Sequence, residues 1–371
     1  MHKTTKDKNR KLASSKCRQK DKKKFRGNKH WKKLSVLNPP SSKRIPNSLD
    51  LNLSSLNLDN NNKSNLEENK KNIFRIYKSP KIKKDLNISN NNIINNNINN
   101  YSYLNFDFIN DQEKVSYAGE YLEEIYLNLL LEEGQSTIKP KMGYMSLQNE
   151  INEQMRAILI DWIIEVHFQF NLRQETLYMT ISIIDTYLSF HFISRKELQL
   201  LGIVCLLISC KSQEIYYPSQ NKFIEVTDGA YTKEEMLKME NDILKKLNFN
   251  IVYPISNDFY NILSKLYNFD KKQYFLGKYF LECVLIDYQM IKYSSSVIAA
   301  ACIYIVMKYF GINGYQKLYS NFIINEKNPE NIIKDSAKDI YALMVNLSKS
   351  ELKTVKNKYG LAQFESVSDI L

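Results

Sequence analysis

Residues 195–211 read RKELQLLGIVCLLISCK. Leu198, Leu200, Leu201, Ile203, Val204, Leu206, Leu207 and Ile208 fall on every side of a helix with 3.6 residues per turn. A helix that is apolar all round must lie inside other elements, so this stretch predicts the buried centre of a helical bundle. Gly202, Cys205 and Ser209 are small and let neighbouring helices approach, and the stretch ends in polar Lys211, Ser212, Gln213 and Glu214.

A stretch of the same kind recurs about 97 residues later. Residues 294–308 read SSSVIAAACIYIVMK, with a serine start, a small and apolar body and a lysine end. The preceding segments match as well, since VLIDYQ at 284–289 follows the pattern of SIIDTY at 182–187. Repetition of a whole unit predicts an all-α fold of two tandem five-helix bundles, each wrapping four helices around a buried central one.

Apolar spacing and start signals place the surrounding helices. The first runs over 152–170 and the second over 174–190, entered by Asn171 with Gln174 three places later. The Ser194/Glu197 and Thr232/Glu235 pairs have capping-box spacing and mark two further starts. Tyr121, Ile125, Tyr126 and Leu129 give a helix over 117–132, with order beginning near 112. The resulting division is a tail (1–110), a helix and linker (111–146), a first bundle (147–250), a second bundle (251–350) and a closing C-terminal helix and tail (351–371).

The 371 residues carry a net charge of +12, and its distribution separates tail from fold. Residues 1–50 hold 17 Lys and Arg against three acids, a net of +14, which leaves −2 on the remaining 321 residues. Such a tail repels itself and is expected to be disordered, as is the asparagine tract NISNNNIINNNINN at 87–100. Its basic clusters read either as nuclear-import or nucleic-acid attraction, or as a solvated tail. Ser79-Pro80 is either a minimal proline-directed phosphorylation site or a chance pair.

Composition excludes several classes. Ten glycines and eight prolines are too few for an all-β fold with many tight turns, and neither GxGxxG nor GxxxxGK[ST] occurs. No apolar run is long enough to span a bilayer and the start is too charged for a signal peptide, so a soluble, intracellular chain without membrane association is expected. Cys17, Cys205, Cys210, Cys283 and Cys302 read as reduced thiols, four of them in apolar segments, and the four histidines are scattered. No metal, cofactor or catalytic set is therefore expected. The adjacent carboxylate pairs Glu123/Glu124 and Glu234/Glu235 read as solvated helix faces.

Two features of the first helix invite a functional reading. Met155, Leu159 and Trp162 share one face, while Ile163, Val166 and Phe170 form a second face that can supply the core. The first stripe is either a further core face or a surface free to bind a partner. Arg156 and Asp185 sit in apolar surroundings on the first and second helices, where a charge is costly unless paired, and they are expected to pair and fix the register.

MRAILIDWIIEVH (155–167), ETLYMTISIIDTYLS (175–189), LQLLGIVCLLISCKSQEIYYP (198–218), TDGAYTKEEMLKMENDILKKLNF (227–249) and TVKNKYG (354–360) closely resemble the mitotic cyclins, most of all the B-type. The resemblance covers about 115–362, and the tandem repeat is what that family's two cyclin boxes would give. It implies a non-catalytic regulatory subunit that activates a cyclin-dependent serine/threonine kinase in the mitotic cell cycle, in nucleus and cytoplasm. It also implies roles for individual residues. Lys211 and Glu240 match the pair that binds backbone near the kinase αC helix, and Leu244, Phe249 and Ile251 match apolar contacts on that surface. Met155, Leu159 and Trp162 match the patch that docks Arg-x-Leu motifs of substrates and inhibitors, with Glu165 and Gln199 beside it. Arg156–Asp185 matches the family's internal ion pair. Ser212 stands where many members carry an aromatic residue, and Gln213 where many carry Glu. A transcription-related cyclin-box protein is the rival reading. The near-neutral chain beyond residue 50 speaks against a nucleic-acid-binding face on the fold.

Overall fold

The computed structural model describes residues 121–136, 139–316, 318 and 328–370. The basic tail, the asparagine tract and Ser79-Pro80 lie outside them. So does the expected onset of order near 112.

Everything described is helix, turn or loop, with no strand among the described residues. An N-terminal helix α1 (Leu122–Gln135) precedes a first repeat of α2 (Glu153–Gln169), α3 (Gln174–Phe190), α4 (Leu198–Gln213), α5 (Gln220–Val226) and α6 (Lys233–Lys246). The second repeat shows α7 (Ser256–Leu266), α8 (Lys271–Ile286), α9 (Ser295–Tyr309) and α10 (Pro329–Lys349), and the short α11 (Thr354–Tyr359) follows.

The all-apolar stretch is the centre of its repeat. Leu198 and every residue from Leu200 to Cys210 are buried, and α4 packs against α2, α3, α5 and α6. In the second repeat α9 packs against α7, α8 and α10. Gly202 lets α2 come close: a Cβ there would fall 2.7 Å from Leu159 Cδ1, so any larger residue would have to displace that side chain.

Start signals act by satisfying orphan N–H groups. Asn152 accepts from the Met155 N–H at 2.9 Å. Thr232 and Glu235 form a capping box at α6, and Asp270 and Gln273 form another at α8. Two expected starts differ. At α4, the Ser194 hydroxyl donates to the Glu197 carboxylate at 2.6 Å and so closes a turn, and the helix begins only at Leu198. At α3 the cap position is Arg173, because Asn171 takes a left-handed φ of 51° that turns the chain out of α2.

α1 is rotated from the expected face. Leu122, Tyr126 and Leu130 are buried while Tyr121 and Ile125 are exposed. The second repeat sets this face. Tyr126 meets Phe259 edge-on at 5.6 Å, and buried Glu133 accepts from the Ser296 N–H and hydroxyl at the start of α9.

Polar joints fix the two repeats to each other. Arg156 Nε donates to Asp185 Oδ1 at 2.6 Å and Nη2 donates to Oδ2 at 2.7 Å. Nη1 reaches the carbonyls of Leu285 and Ile286 at the end of α8, and Tyr144 donates to the same Asp185. The carboxylate of Asp161 on α2 accepts from the N–H and hydroxyl of Thr354, which holds the start of α11. Lys358 and Tyr359 of α11 donate to Glu282 of α8, and Glu282 is fully buried. α11 therefore ties α2 of the first repeat to α8 of the second.

Candidate functional site

The C-terminal end of α4 and the middle of α6 come together through one ion pair. Lys211 Nζ lies 2.5 Å from Glu240 Oε1, with the lysine 40% exposed at its side chain and the carboxylate nearly buried. Lys211 sits there because α4 runs out of apolar residues at Cys210, and Glu240 because α6 turns Met236, Met239 and Ile243 inward beside it.

Apolar side chains leave both helix ends toward solvent. Beyond α4, Ile215 is 85% exposed and Tyr216 93%. Beyond α6, Asn248 and Phe249 both take left-handed backbone, with φ of 50° and 57°. For an aromatic residue this conformation is uncommon and strained, and here it leaves the Phe249 ring 68% exposed. Val252 is exposed as well. Leu244 and Ile251 are half-buried, and Ile251 borders a shallow depression shared with Ser182 and Thr186 of α3. These exposed apolar residues lie on the segments that follow α4 and α6.

Of the residues matched to a kinase-binding surface, the structure therefore brings Lys211 and Glu240 into contact. It puts Leu244, Phe249 and Ile251 on and just after the same helix. Sequence reasoning passed over Ile215, Tyr216 and Val252. An apolar run directly after a polar helix end was the available signal for the first two.

The stripe on α2 is not free. Met155, Leu159 and Trp162 are 3%, 0% and 1% exposed, which is the core-face alternative of the two open readings. The second face, Ile163 and Val166, is buried too. Leu159 lies against Gly202 of α4 within the same bundle, and α2 also packs against α8, α11 and the short turn Tyr288–Lys292. Glu165 and Gln199 are half-buried on α2 and α4.

His167 is structural. Its Nε2 faces the Arg173 carbonyl at 2.8 Å, so the ring donates there and braces the turn between α2 and α3. Burial, together with the nearby Lys358 charge, lowers its pKa to about 4. Among the described residues no His, Cys, Asp and Glu cluster could hold a metal ion, and no helix is long and apolar enough to cross a membrane.

The fold is a tandem helical repeat with exposed apolar residues on its first unit. The sequence matches the family description "Cyclin, N-terminal domain" over residues 124–252 and "Cyclin, C-terminal domain" over 254–371. The chain belongs to the cyclin family. It is 36% identical over 263 residues to G2/mitotic-specific cyclin-B2 of Anguilla japonica, covering 70% of this chain and 64% of that one. It is similarly 36% identical to G2/mitotic-specific cyclin-B of Spisula solidissima, covering 70% and 60%. The match thus spans about two thirds or less of those relatives' length. The X-ray structure of a viral cyclin from herpesvirus saimiri shares the fold, with a TM-score of 0.50 and 21% identity over 59% of this chain and 99% of that one.

Proposed function

We propose that this chain is a non-catalytic regulatory subunit that binds and activates a cyclin-dependent serine/threonine kinase in the mitotic cell cycle, acting in nucleus and cytoplasm. The observation that carries the proposal is the rim of exposed Ile215, Tyr216, Phe249 and Val252 on the segments leaving the Lys211–Glu240 pair.

The mechanism is a shift of populations. A kinase whose αC helix rests rotated outward has a broken catalytic Lys–Glu pair and a misplaced activation loop. A stiff partner that fits only the inward position selects it. Moving a 1:99 balance to 99:1 requires about 5.5 kcal/mol of differential affinity, within reach of a largely apolar interface of about 2,000 Å². In this reading Lys211 and Glu240 hydrogen-bond kinase backbone near αC, while Leu244, Phe249 and Ile251, joined by Ile215 and Tyr216, supply the apolar contact. The inter-repeat joints of Arg156 and α11 provide the stiffness.

Recruitment of Arg-x-Leu segments is the second part of the proposal. Glu165 would meet the arginine, with Gln199 beside it and Met155, Leu159 and Trp162 forming the docking patch. Support for this part is the match of sequence motifs, and the burial of the three apolar residues makes it separable from the first.

The deciding experiment mixes the protein with a purified cell-division kinase. Lys211→Ala with Glu240→Ala should cut activation at least tenfold while the unfolding temperature holds. Unchanged activation removes the pair from the mechanism. Met155→Ala with Trp162→Ala should slow Arg-x-Leu substrates and spare short peptides lacking the motif. Equal slowing of both makes the stripe core alone.

A further inference from the structure

The 97-residue interval that relates α4 to α9 also relates their neighbours. Carried from α6 to α10, it takes Met236 to Ile333, Ile243 to Ile340 and Leu247 to Met344, and all six are buried. α10 packs on α9 as α6 packs on α4. The same interval takes Lys211 to Lys308 and Glu240 to Ala337. The second repeat thus keeps the lysine and lacks the carboxylate.

Two consequences are visible. Lys308 pairs with no carboxylate among the described residues; its ammonium lies 4.0 Å from the ring centre of Tyr315 and 5.8 Å from that of Tyr304. And the seam that Lys211–Glu240 closes in the first repeat opens here into a groove of about 570 Å³. Ile305 and Ala337 form its apolar lining, and Tyr309 and Tyr341, both mostly exposed, stand at its edge. Lys334 and Lys338 also line it, each paired with an acid of its own helix, Glu330 and Asp335. Three lysines against two carboxylates leave a positive excess, centred on Lys308.

We propose that this groove is a docking surface for an acidic segment of a partner protein, one that brings an aspartate or glutamate to Lys308 and sets an adjacent apolar side chain between Tyr309 and Tyr341. The incoming carboxylate takes the place that Glu240 fills in the first repeat. Tyrosines flanking a small-residue floor suit an apolar anchor, since they offer large contact area with few torsions to freeze. The surface lies on the second repeat and is separate from the proposed kinase face on the first.

The test is fluorescence anisotropy on the full chain without any kinase, so it stands or falls independently of the kinase reading. The probe is a labelled decapeptide alternating Glu or Asp with Leu or Phe, and its twin carries Gln and Asn instead of the acids. The acidic peptide should bind at micromolar concentration, at least tenfold more tightly than the twin, and more weakly as salt rises. Lys308→Glu, at an exposed position, should weaken it at least tenfold. Ala337→Glu should do the same by supplying the carboxylate internally, and if that variant unfolds, Lys308→Glu decides alone. Equal binding of both peptides overturns the proposal, as does no binding at 100 µM, roughly a hundredfold above the micromolar range expected. Acidic-peptide binding that survives Lys308→Glu also overturns it, because the site is then elsewhere, the basic first fifty residues included.

Discussion

In the first repeat the seam between the central helix and the helix two positions on is closed by Lys211 and Glu240; in the second, Lys308 faces Ala337 across an open groove. Beneath the two seams Met236, Ile243 and Leu247 correspond to Ile333, Ile340 and Met344, while Met239 corresponds to a buried serine, Ser336. What repeats is the inward face, because each repeat must bury a central helix and removing apolar area from water dominates the favourable side of folding. What diverges is the outward pair, Lys211–Glu240 in one repeat and Lys308–Ala337 in the other. Where a tandem fold departs from its own repetition, binding surfaces are the places to look.

The contrast predicts that joints between the repeats matter far more to stability than either seam. Arg156→Ala should have the largest effect. It leaves buried Asp185 without its cation and the Leu285 and Ile286 carbonyls without a donor, and breaking such a pair costs about 3–5 kcal/mol. Thermal unfolding should shift down by roughly 10 °C. A shift of a degree or two would mean that the repeats hold together without the joint.

Buried charge inside the second repeat supplies the next effect. Lys278 on α8 is almost fully buried and donates to Asn257, with the charges of Glu282, Glu175 and Asp258 favouring its protonation and Lys358 opposing it. Burial, ahead of those charges, lowers its pKa to about 7. Between that value and the ordinary 10.5 the unfolded chain holds the extra proton, so this group's stability penalty is full below pH 7 and fades as pH rises toward 10.5. Lys278→Met should therefore be more stable than the parent at pH 7, and the difference should shrink by up to about a tenfold change in unfolding constant per pH unit up to pH 9. Denaturant titrations of both proteins at pH 7, 8 and 9 read this directly, and a constant difference would show that Lys278 does not titrate there.

Much of this architecture was legible in the residues. The apolar ring of 198–210, its counterpart at 294–308 and the Thr232/Glu235 box identify central helices and a start by chemistry that acts within a few turns. The pairing of Arg156 with Asp185 was legible for a different reason, since an arginine in apolar surroundings demands a carboxylate. Long-range packing was not legible. Nothing near Met155 or Trp162 announces that α8 and α11 also pack on their helix, so core face and partner surface both stayed open. Nothing near Tyr121 tells α1 to turn Leu122 and Leu130 toward the second repeat instead. The strain at Phe249 was equally hidden, because a left-handed aromatic has no sequence signature.

The smallest stability effect is the sharpest test of the comparison. Glu240→Ala installs in the first repeat the arrangement that the second already has. Lys211 is substantially exposed and already hydrated, so losing its partner should change unfolding free energy by less than about 1 kcal/mol, the range of ion pairs near the surface. Under the proposed kinase reading, activation should nevertheless fall at least tenfold, because the carboxylate is needed at the moment the kinase backbone arrives. A small stability change with a large loss of activation makes the seam a contact surface. A loss of several kcal/mol instead, with activation following the folded fraction, makes the pair a structural clasp, and the difference between the two repeats would then be one of stability.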